Sequence, residues 1–136
     1  MKKEAKLLLE KAVDSLVLSI EHFNRPWDRG RVAAVLILLD HSFEMLLKAA
    51  ILKRGGRIRE PRERQTIGFS VCLNRSLSTP EVKFLTKEQV LVLQMINSLR
   101  DAVQHHLVDV SEQLLYTQAQ AGVTLFRDIL LAVFDR

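Results

Sequence analysis

One stretch of the sequence, residues 29–54, is apolar on nearly its whole circumference if it forms a helix. It contains the runs VAAVLILL and MLLKAAIL, separated by a few polar residues. A helix of this kind is a central core element or is buried on two sides. We therefore predict a helical protein built around this segment. Because its apolar surface exceeds what a small bundle covers from one side, we also predict a homodimer.

Helical periodicity extends through most of the remaining sequence. In the first predicted helix, residues 3–23, Leu16 and Ile20 belong to the apolar face. The other predicted helices are a short one within residues 66–77, a long one over about 86–107 and a last one over about 110–134. Residues 1–136 are thus predicted to form a single all-α domain, an antiparallel four-helix bundle with one short extra helix.

Local sequence signals set the predicted helix boundaries. Gly55-Gly56 is a strong stop for the second helix, and Asp28 is a plausible cap at its start. Residues 86–89 and residues 109–112 each have a capping-box pattern, which predicts the starts of the last two long helices. Gly122 in the middle of the last helix predicts a close contact with another helix.

The composition restricts the chemistry and the compartment. The single cysteine, Cys72, rules out an intrachain disulfide and a cysteine-based zinc site, and it is predicted to pack in the core. The longest apolar run is too short for a bilayer, and we expect that the N-terminal segment is not a signal peptide. We expect a cytoplasmic protein with no metal, no cofactor and no membrane partner. A net charge of +4 permits an anionic partner.

The segment RDAVQHH, residues 100–106, places groups capable of acid–base chemistry beside a fixed cation. Histidine exchanges a proton near neutral pH, and the arginine fork suits phosphate. Asp101 lies four residues before His105, so its carboxylate is predicted to orient that imidazole. If the helix continues, His106 shares a side with Leu99 and Val103 and is predicted to be a core or interface residue. The alternative for the whole segment is an exposed helix end without a site.

Helix geometry constrains how such a site can be assembled. Five residues advance a helix by about 500°, so Arg100 and His105 point about 140° apart. Either the helix ends or distorts near Gln104, or two copies of the chain supply the groups to each other. We favour the second arrangement.

A narrow polar stripe crosses the apolar second helix. His41, Glu44 and Lys48 share one face, and Asp40 lies beside them. One interpretation is an internally paired polar seam. The other is a second wall of the site, facing RDAVQHH.

The segment from Lys53 to Arg64 is strongly basic. Arg57, Arg59 and Arg62 lie close to Pro61 within it. A charge run of this kind is either a solvated surface or a loop that contacts the phosphates of a nucleic acid without reading its sequence.

Three segments, in this order, resemble the HEPN superfamily (higher eukaryotes and prokaryotes nucleotide-binding), and in particular one of its families of unknown function. They are FEMLLKAAIL, TIGFSVCLNRSL and LRDAVQHH. The resemblance implies a four-helix bundle with an R-x(4–6)-H motif at the end of its third long helix. Arg100 and His105 match the motif pair, Asp101 occupies a variable polar position, and His106 also fits the broader spacing.

The resemblance implies a metal-independent endoribonuclease that acts as a dimer, often as a toxin or a phage-defence effector, for which an antitoxin is a possible partner. Histidine can supply the base and acid for attack by the RNA 2′-hydroxyl, and arginine can stabilise the phosphorane charge. The alternative is a non-catalytic HEPN module that binds a partner protein or a nucleotide. The candidate RNA-binding residues are Glu44, Lys48, Arg57, Arg59 and Arg62.

Overall fold

The computed structural model describes residues 1–106 and 108–136, which form an all-helical bundle. The elements are α1 (Lys3–Phe23), α2 (Arg31–Lys53), α3 (Phe69–Ser78), α4 (Lys87–His105), α5 (Glu112–Ile129) and a π-helical segment (Leu130–Phe134) that continues α5. The predicted all-α class is confirmed. The last position of the predicted third long helix, Leu107, lies outside the described residues.

Helix α2 is the centre of the bundle, as predicted from its apolar circumference. It packs against α1, α3, α4 and α5, and Leu36, Leu46 and Leu47 are fully buried. Among the described residues, Ile37 is the one large apolar side chain of α2 that remains exposed. A single chain therefore covers this helix, and the reason given above for a homodimer is wrong.

Helices α1 and α2 form an antiparallel pair that packs through small residues. The Ser19 hydroxyl of α1 donates a hydrogen bond to the Val35 carbonyl of α2 at 2.8 Å. Ser15 and Ser19 are buried, whereas Ile20 is exposed, so the buried face of α1 is rotated from the predicted one. Small side chains let the two helix backbones approach closely, and this places the serines rather than the larger residues at the contact.

Helix α5 approaches α2 and α4 closely at Gly122, which confirms the predicted contact. A Cβ atom on Gly122 would lie 3.3 Å from Leu39 of α2 and 3.3 Å from Ile96 of α4. Nearby, the rings of Phe43 and Phe126 meet edge to face at 5.7 Å. These contacts hold α4 and α5 against the central helix and fix the position of the C-terminal half of α4.

Two of the predicted helix signals are confirmed. Gly55, which follows the C-cap residue Arg54 of α2, has a φ of 85°, a left-handed conformation that glycine adopts without strain. Thr86 and Gln89 form the predicted capping box, in which each side chain bonds the other residue's backbone N–H. No helix of the described chain is long and apolar enough to cross a bilayer.

Two other start signals were wrong in detail. Helix α2 begins after Gly30, without a capping bond from Asp28. The N-cap of α5 is Ser111, which accepts the Leu114 N–H at 3.1 Å, so the predicted box starting at Asp109 does not form. Glu112 instead forms an ion pair with buried Arg31. Glu112 is thus the first residue of α5, directly after the N-cap, and not the third position that a capping box requires.

Candidate active site

The C-terminal half of α4 carries an arginine that is held by side chains from two helices. Arg100 Nε lies 3.2 Å from Asp40 Oδ2 of α2, and Arg100 Nη2 lies 3.2 Å from Asp101 Oδ1. Arg100 Nη1 also donates to Gln104 Oε1 at 2.9 Å. With 28% of its side chain exposed, Arg100 is anchored by the fold and still reachable from solvent.

The carboxylate behind this arginine is buried and shared. Asp40 is only 8% exposed, and Asn97 donates from Nδ2 to Asp40 Oδ1 at 3.0 Å. Burial raises the pKa of the Asp40 carboxyl above its ordinary value, outweighing the Asn97 hydrogen bond and the Arg100 charge, which act to lower it. Although Arg100 Nε is close to Asp40, its N–H lacks an aligned hydrogen-bond acceptor among the described residues.

The two histidines of the motif lie at the end of α4 and are exposed. His105 is the last residue of α4, and His106 has an extended backbone conformation as its cap. Because the helix ends there, the condition under which His106 was predicted to face the core is not met. Both imidazoles are accessible to a ligand that approaches this end of the bundle.

The Asp101 carboxylate does not orient His105, which corrects the prediction from their spacing. Among the described residues, Asp101 pairs with Arg100 and makes no hydrogen bond to the imidazole. A carboxylate next to a guanidinium forms a charge-assisted contact with that fixed charge, and this is the pairing that Asp101 makes. Arg100 therefore carries two carboxylate partners within one chain.

The polar stripe of α2 divides into two parts. Asp40 faces α4 and meets Arg100, while Lys48 Nζ lies 2.7 Å from Glu44 Oε2 and donates to Thr66 Oγ1 at 2.7 Å. Lys48 is buried, whereas His41 is exposed and lies apart from these bonds. The internally paired seam therefore describes Glu44 and Lys48 better than a substrate-binding role does. Asp40, which lies beside the stripe, is the residue of α2 that contacts the RDAVQHH segment, through Arg100.

The basic segment after α2 is partly neutralised by local pairing. Arg59 binds Glu4 through Nη1 at 3.0 Å and Nη2 at 2.7 Å, and this hydrogen bonding lowers the pKa of the Glu4 carboxyl. In contrast, the side chains of Arg57 and Arg62 are exposed and form no ion pair with a described residue. Of the three arginines proposed to contact RNA, Arg57 and Arg62 are therefore more available to a phosphate than Arg59.

Sequence reasoning missed Asn97, the residue that ties α4 to the carboxylate of α2. Asn97 lies three residues before Arg100, so both share one face of α4 and reach Asp40 together. This spacing was visible in the sequence, but its meaning depends on the position of α2. Asn97 also lines a groove between α3 and α4.

Cys72 lies in the core, and its thiol is unreactive as a nucleophile. It is fully buried, and burial raises the pKa of its thiol to about 11. A thiol with such a pKa is almost entirely protonated at neutral pH and is a poor nucleophile. The described residues also contain no group of three or more His, Cys, Asp or Glu side chains arranged to hold a metal ion.

Comparison with known proteins places the chain in a family. The sequence model of the family described as a domain of unknown function (DUF3644) matches residues 7–136. No curated protein matches the chain, and no solved structure matches it. Because the family match spans almost the whole sequence, the protein belongs to the DUF3644 family.

Proposed function

We propose that this protein is a metal-independent endoribonuclease of the HEPN type. The observation that supports this most directly is the juxtaposition of a positioned guanidinium, Arg100, with two exposed imidazoles, His105 and His106, at the same end of α4. An arginine held by buried Asp40 loses little further freedom when it meets a phosphate. The exposed histidines at the end of α4 can exchange protons with a bound RNA.

The reaction requires no group beyond those that the chain and RNA provide. One imidazole removes the proton from an RNA 2′-hydroxyl, whose oxygen attacks the adjacent phosphorus. The bond from phosphorus to the 5′-oxygen then breaks, and a protonated imidazole donates a proton to that leaving oxygen. Arg100 stabilises the charge that accumulates on the phosphorane oxygens. The products are a 2′,3′-cyclic phosphate and a 5′-hydroxyl.

The geometry of α4 favours a site shared by two copies. The helix is continuous through His105, so Arg100 and His105 point about 140° apart. Arg100 faces α2, whereas His105 lies within about 40° of the direction of Leu91, 14 positions earlier. A single copy therefore directs its cation and its proton-transfer group to different sides of the helix.

An exposed apolar surface on α4 is available for contact with a second copy, whereas the apolar surface of α2 is covered within one chain. Leu91 and Met95 are 64% and 48% exposed and lie one helical turn apart. Leu91 points within about 40° of His105 and Met95 within about 80° of it, so a second copy bound there would lie on the side of α4 from which His105 emerges. We assign the proposed homodimer contact to this face.

The direct test is incubation of the pure protein with total RNA in EDTA. The expected result is cleavage that leaves 2′,3′-cyclic phosphate ends and that is lost in Arg100→Ala and His105→Ala. The matched control is His41→Ala, because His41 is an exposed histidine on α2, outside the RDAVQHH segment, and makes no hydrogen bond to a described residue. If His41→Ala and His105→Ala lower cleavage equally, or if wild type does not cleave at high concentration, the proposal fails.

Mixed dimers test whether the site is shared. A heterodimer of Arg100→Ala with His105→Ala has one site lacking both groups and, if the groups come from opposite chains, one intact site. Such a heterodimer should recover up to about half of the wild-type rate per dimer, provided that the two sites act independently. If each chain completes its own site, every site carries one lesion and activity stays near that of the single variants.

The second candidate function is a non-catalytic module that binds a partner protein or a nucleotide. It is favoured by the two carboxylates on Arg100, because Asp40 and Asp101 offset the charge that a transferring phosphate would meet. Under this alternative, RNA or nucleotide binds at the motif and remains intact. Nucleotide or RNA binding that is weakened by Arg100→Ala, with the RNA left intact by wild type, would support it over the enzyme.

A further inference from the structure

A groove of about 510 Å³ lies between α3 and α4. One of its lining residues is Asn97, which binds the Asp40 carboxylate that faces Arg100. The polar lining of the groove consists of amide and hydroxyl side chains and includes no charged side chain. These polar residues are Ser70, Asn74, Gln94, Asn97 and Ser98. The volume falls within the range of small-molecule sites, about 300–1,000 Å³. The proposed reaction uses none of the groove's side chains.

The polar side chains of the groove have hydrogen-bonding capacity to spare. Within the described chain, Ser70, Asn74, Gln94 and Ser98 make no side-chain hydrogen bond, and Asn97 uses only its Nδ2, toward Asp40. Amides offer both donors and acceptors, as the edges of nucleobases do. A neutral lining of this kind suits an uncharged heterocycle rather than a phosphate or an ionised side chain.

The remainder of the groove is apolar and includes one aromatic ring. Phe69 opens α3 and is half-buried, while Leu73, Leu77 and Val90 complete the lining. An aromatic ring at the edge of a groove provides a stacking surface for a base, and aliphatic side chains provide contact for its other face. The apolar side chains of the groove match the flat faces of an unpaired base, and the amides between them match its polar edges.

Asn97 connects this groove to the proposed reaction site. It lines the groove and donates to Asp40 Oδ1 at 3.0 Å, and Asp40 Oδ2 lies 3.2 Å from Arg100 Nε. We propose that the α3–α4 groove binds one unpaired nucleobase of the RNA, so that a phosphate attached to that nucleotide reaches Arg100. This assignment rests on the proposed function for its substrate class, and it makes the groove a source of base preference.

The groove can be tested separately from cleavage with uncharged nucleosides. Adenosine, guanosine, cytidine and uridine are titrated into the ¹⁵N-labelled protein, with ribose as the sugar-only control. At least one nucleoside should shift amide resonances of α3 and α4 around Asn74 and Gln94, and ribose should not. Asn74→Ala and Gln94→Ala should each weaken that binding roughly fivefold or more. Both residues are exposed, so these variants should fold normally.

The matched control is Gln113→Ala, because Gln113 is an exposed amide on α5 outside the groove. It should bind the nucleoside as wild type does. The groove assignment is overturned if no nucleoside shifts these resonances, or if all three variants behave alike. Nucleoside binding without RNA cleavage would uphold the groove while removing the ribonuclease. RNA cleavage whose base preference is unchanged in Asn74→Ala and Gln94→Ala would uphold the ribonuclease and overturn the groove assignment.

Discussion

Replacing Arg100 with methionine should reduce stability in a manner that depends on pH. Methionine keeps an apolar stem of similar reach but removes the charge that faces Asp40. Asp40 is 8% exposed and would be left with Asn97 as its hydrogen-bond donor. Removing one partner of a fully buried ion pair costs about 3–5 kcal/mol, and removing one from an exposed pair costs about 0–1 kcal/mol.

The expected cost lies between these limits. Because Arg100 is 28% exposed and Asn97 still donates to the carboxylate, we expect Arg100→Met to lower the unfolding free energy by about 2–3 kcal/mol near neutral pH. Asp40→Asn should cost less, about 1 kcal/mol, since Arg100 keeps Asp101 and its contact with water. The loss of stability is larger when the buried carboxylate of Asp40 loses its partner than when the partly exposed guanidinium of Arg100 does.

The pH dependence follows from the raised pKa of Asp40. Its carboxyl already titrates above the ordinary value of 3.8 in the folded protein, and loss of Arg100 removes a charge that lowers this pKa. When the pKa of a carboxyl is higher in the folded protein than in the unfolded chain, the unfolding free energy falls as pH rises above 3.8. The loss of stability is complete once the pH is above the pKa of the folded state. The penalty of Arg100→Met should therefore be largest at about pH 7 and shrink as pH falls toward about pH 4.

Urea unfolding followed by far-ultraviolet circular dichroism at these two pH values measures the effect. Arg127→Met is the matched control, because Arg127 is an exposed arginine whose side chain, among the residues that the structure describes, pairs only with neighbouring Asp128. It should cost little at either pH. An equal penalty for Arg100→Met at both pH values, or a larger penalty for Asp40→Asn than for Arg100→Met, would refute the reasoning.

Three further outcomes are expected. Gly122→Leu should lower the unfolding free energy by about 1–3 kcal/mol in a denaturant titration, because overpacking against α2 and α4 exceeds the gain in helix propensity. Arg57→Ser and Arg62→Ser, as single variants, should each flatten the salt dependence of RNA binding in a filter or anisotropy assay more than Arg59→Ser does, and equal slopes would count against this. Iodoacetamide should leave Cys72 unmodified in the folded protein and label it after denaturation, as mass spectrometry can show.

The elements of the fold were predictable from sequence where the signal is local. The apolar circumference of α2 predicted its central position, and Gly55 and Thr86 predicted neighbouring helix boundaries. Gly122 predicted a close contact because a helix-weakening residue needs a packing reason. Such features depend on residues within a few positions of one another, so their meaning survives without knowledge of the fold.

Features that depend on pairing between distant residues could not be predicted in the same way. Glu112 had the spacing of a capping residue, but Arg31 lies 81 positions away in sequence and binds it instead. The buried face of α1 contains Ser19 because a second helix packs closely there, which composition does not reveal. The homodimer argument failed for the same reason, since the apolar surface of α2 gives no information about how much one chain covers.

The interaction between Asp40 and Arg100 also distinguishes the two candidate functions. If the protein cleaves RNA, buried Asp40 acts as a positioning residue that limits the rotation of Arg100. Asp40→Asn should then lower kcat while RNA affinity stays the same or rises, because a negative charge beside the phosphate is removed. If the protein only binds RNA, that charge merely opposes the ligand, and the same variant should bind more tightly without any change in the state of the RNA. Single-turnover cleavage and equilibrium binding, measured on the same preparations of wild type and Asp40→Asn, separate these outcomes. A variant whose kcat and affinity both equal those of wild type would remove Asp40 from the function and leave it as a structural partner of Arg100.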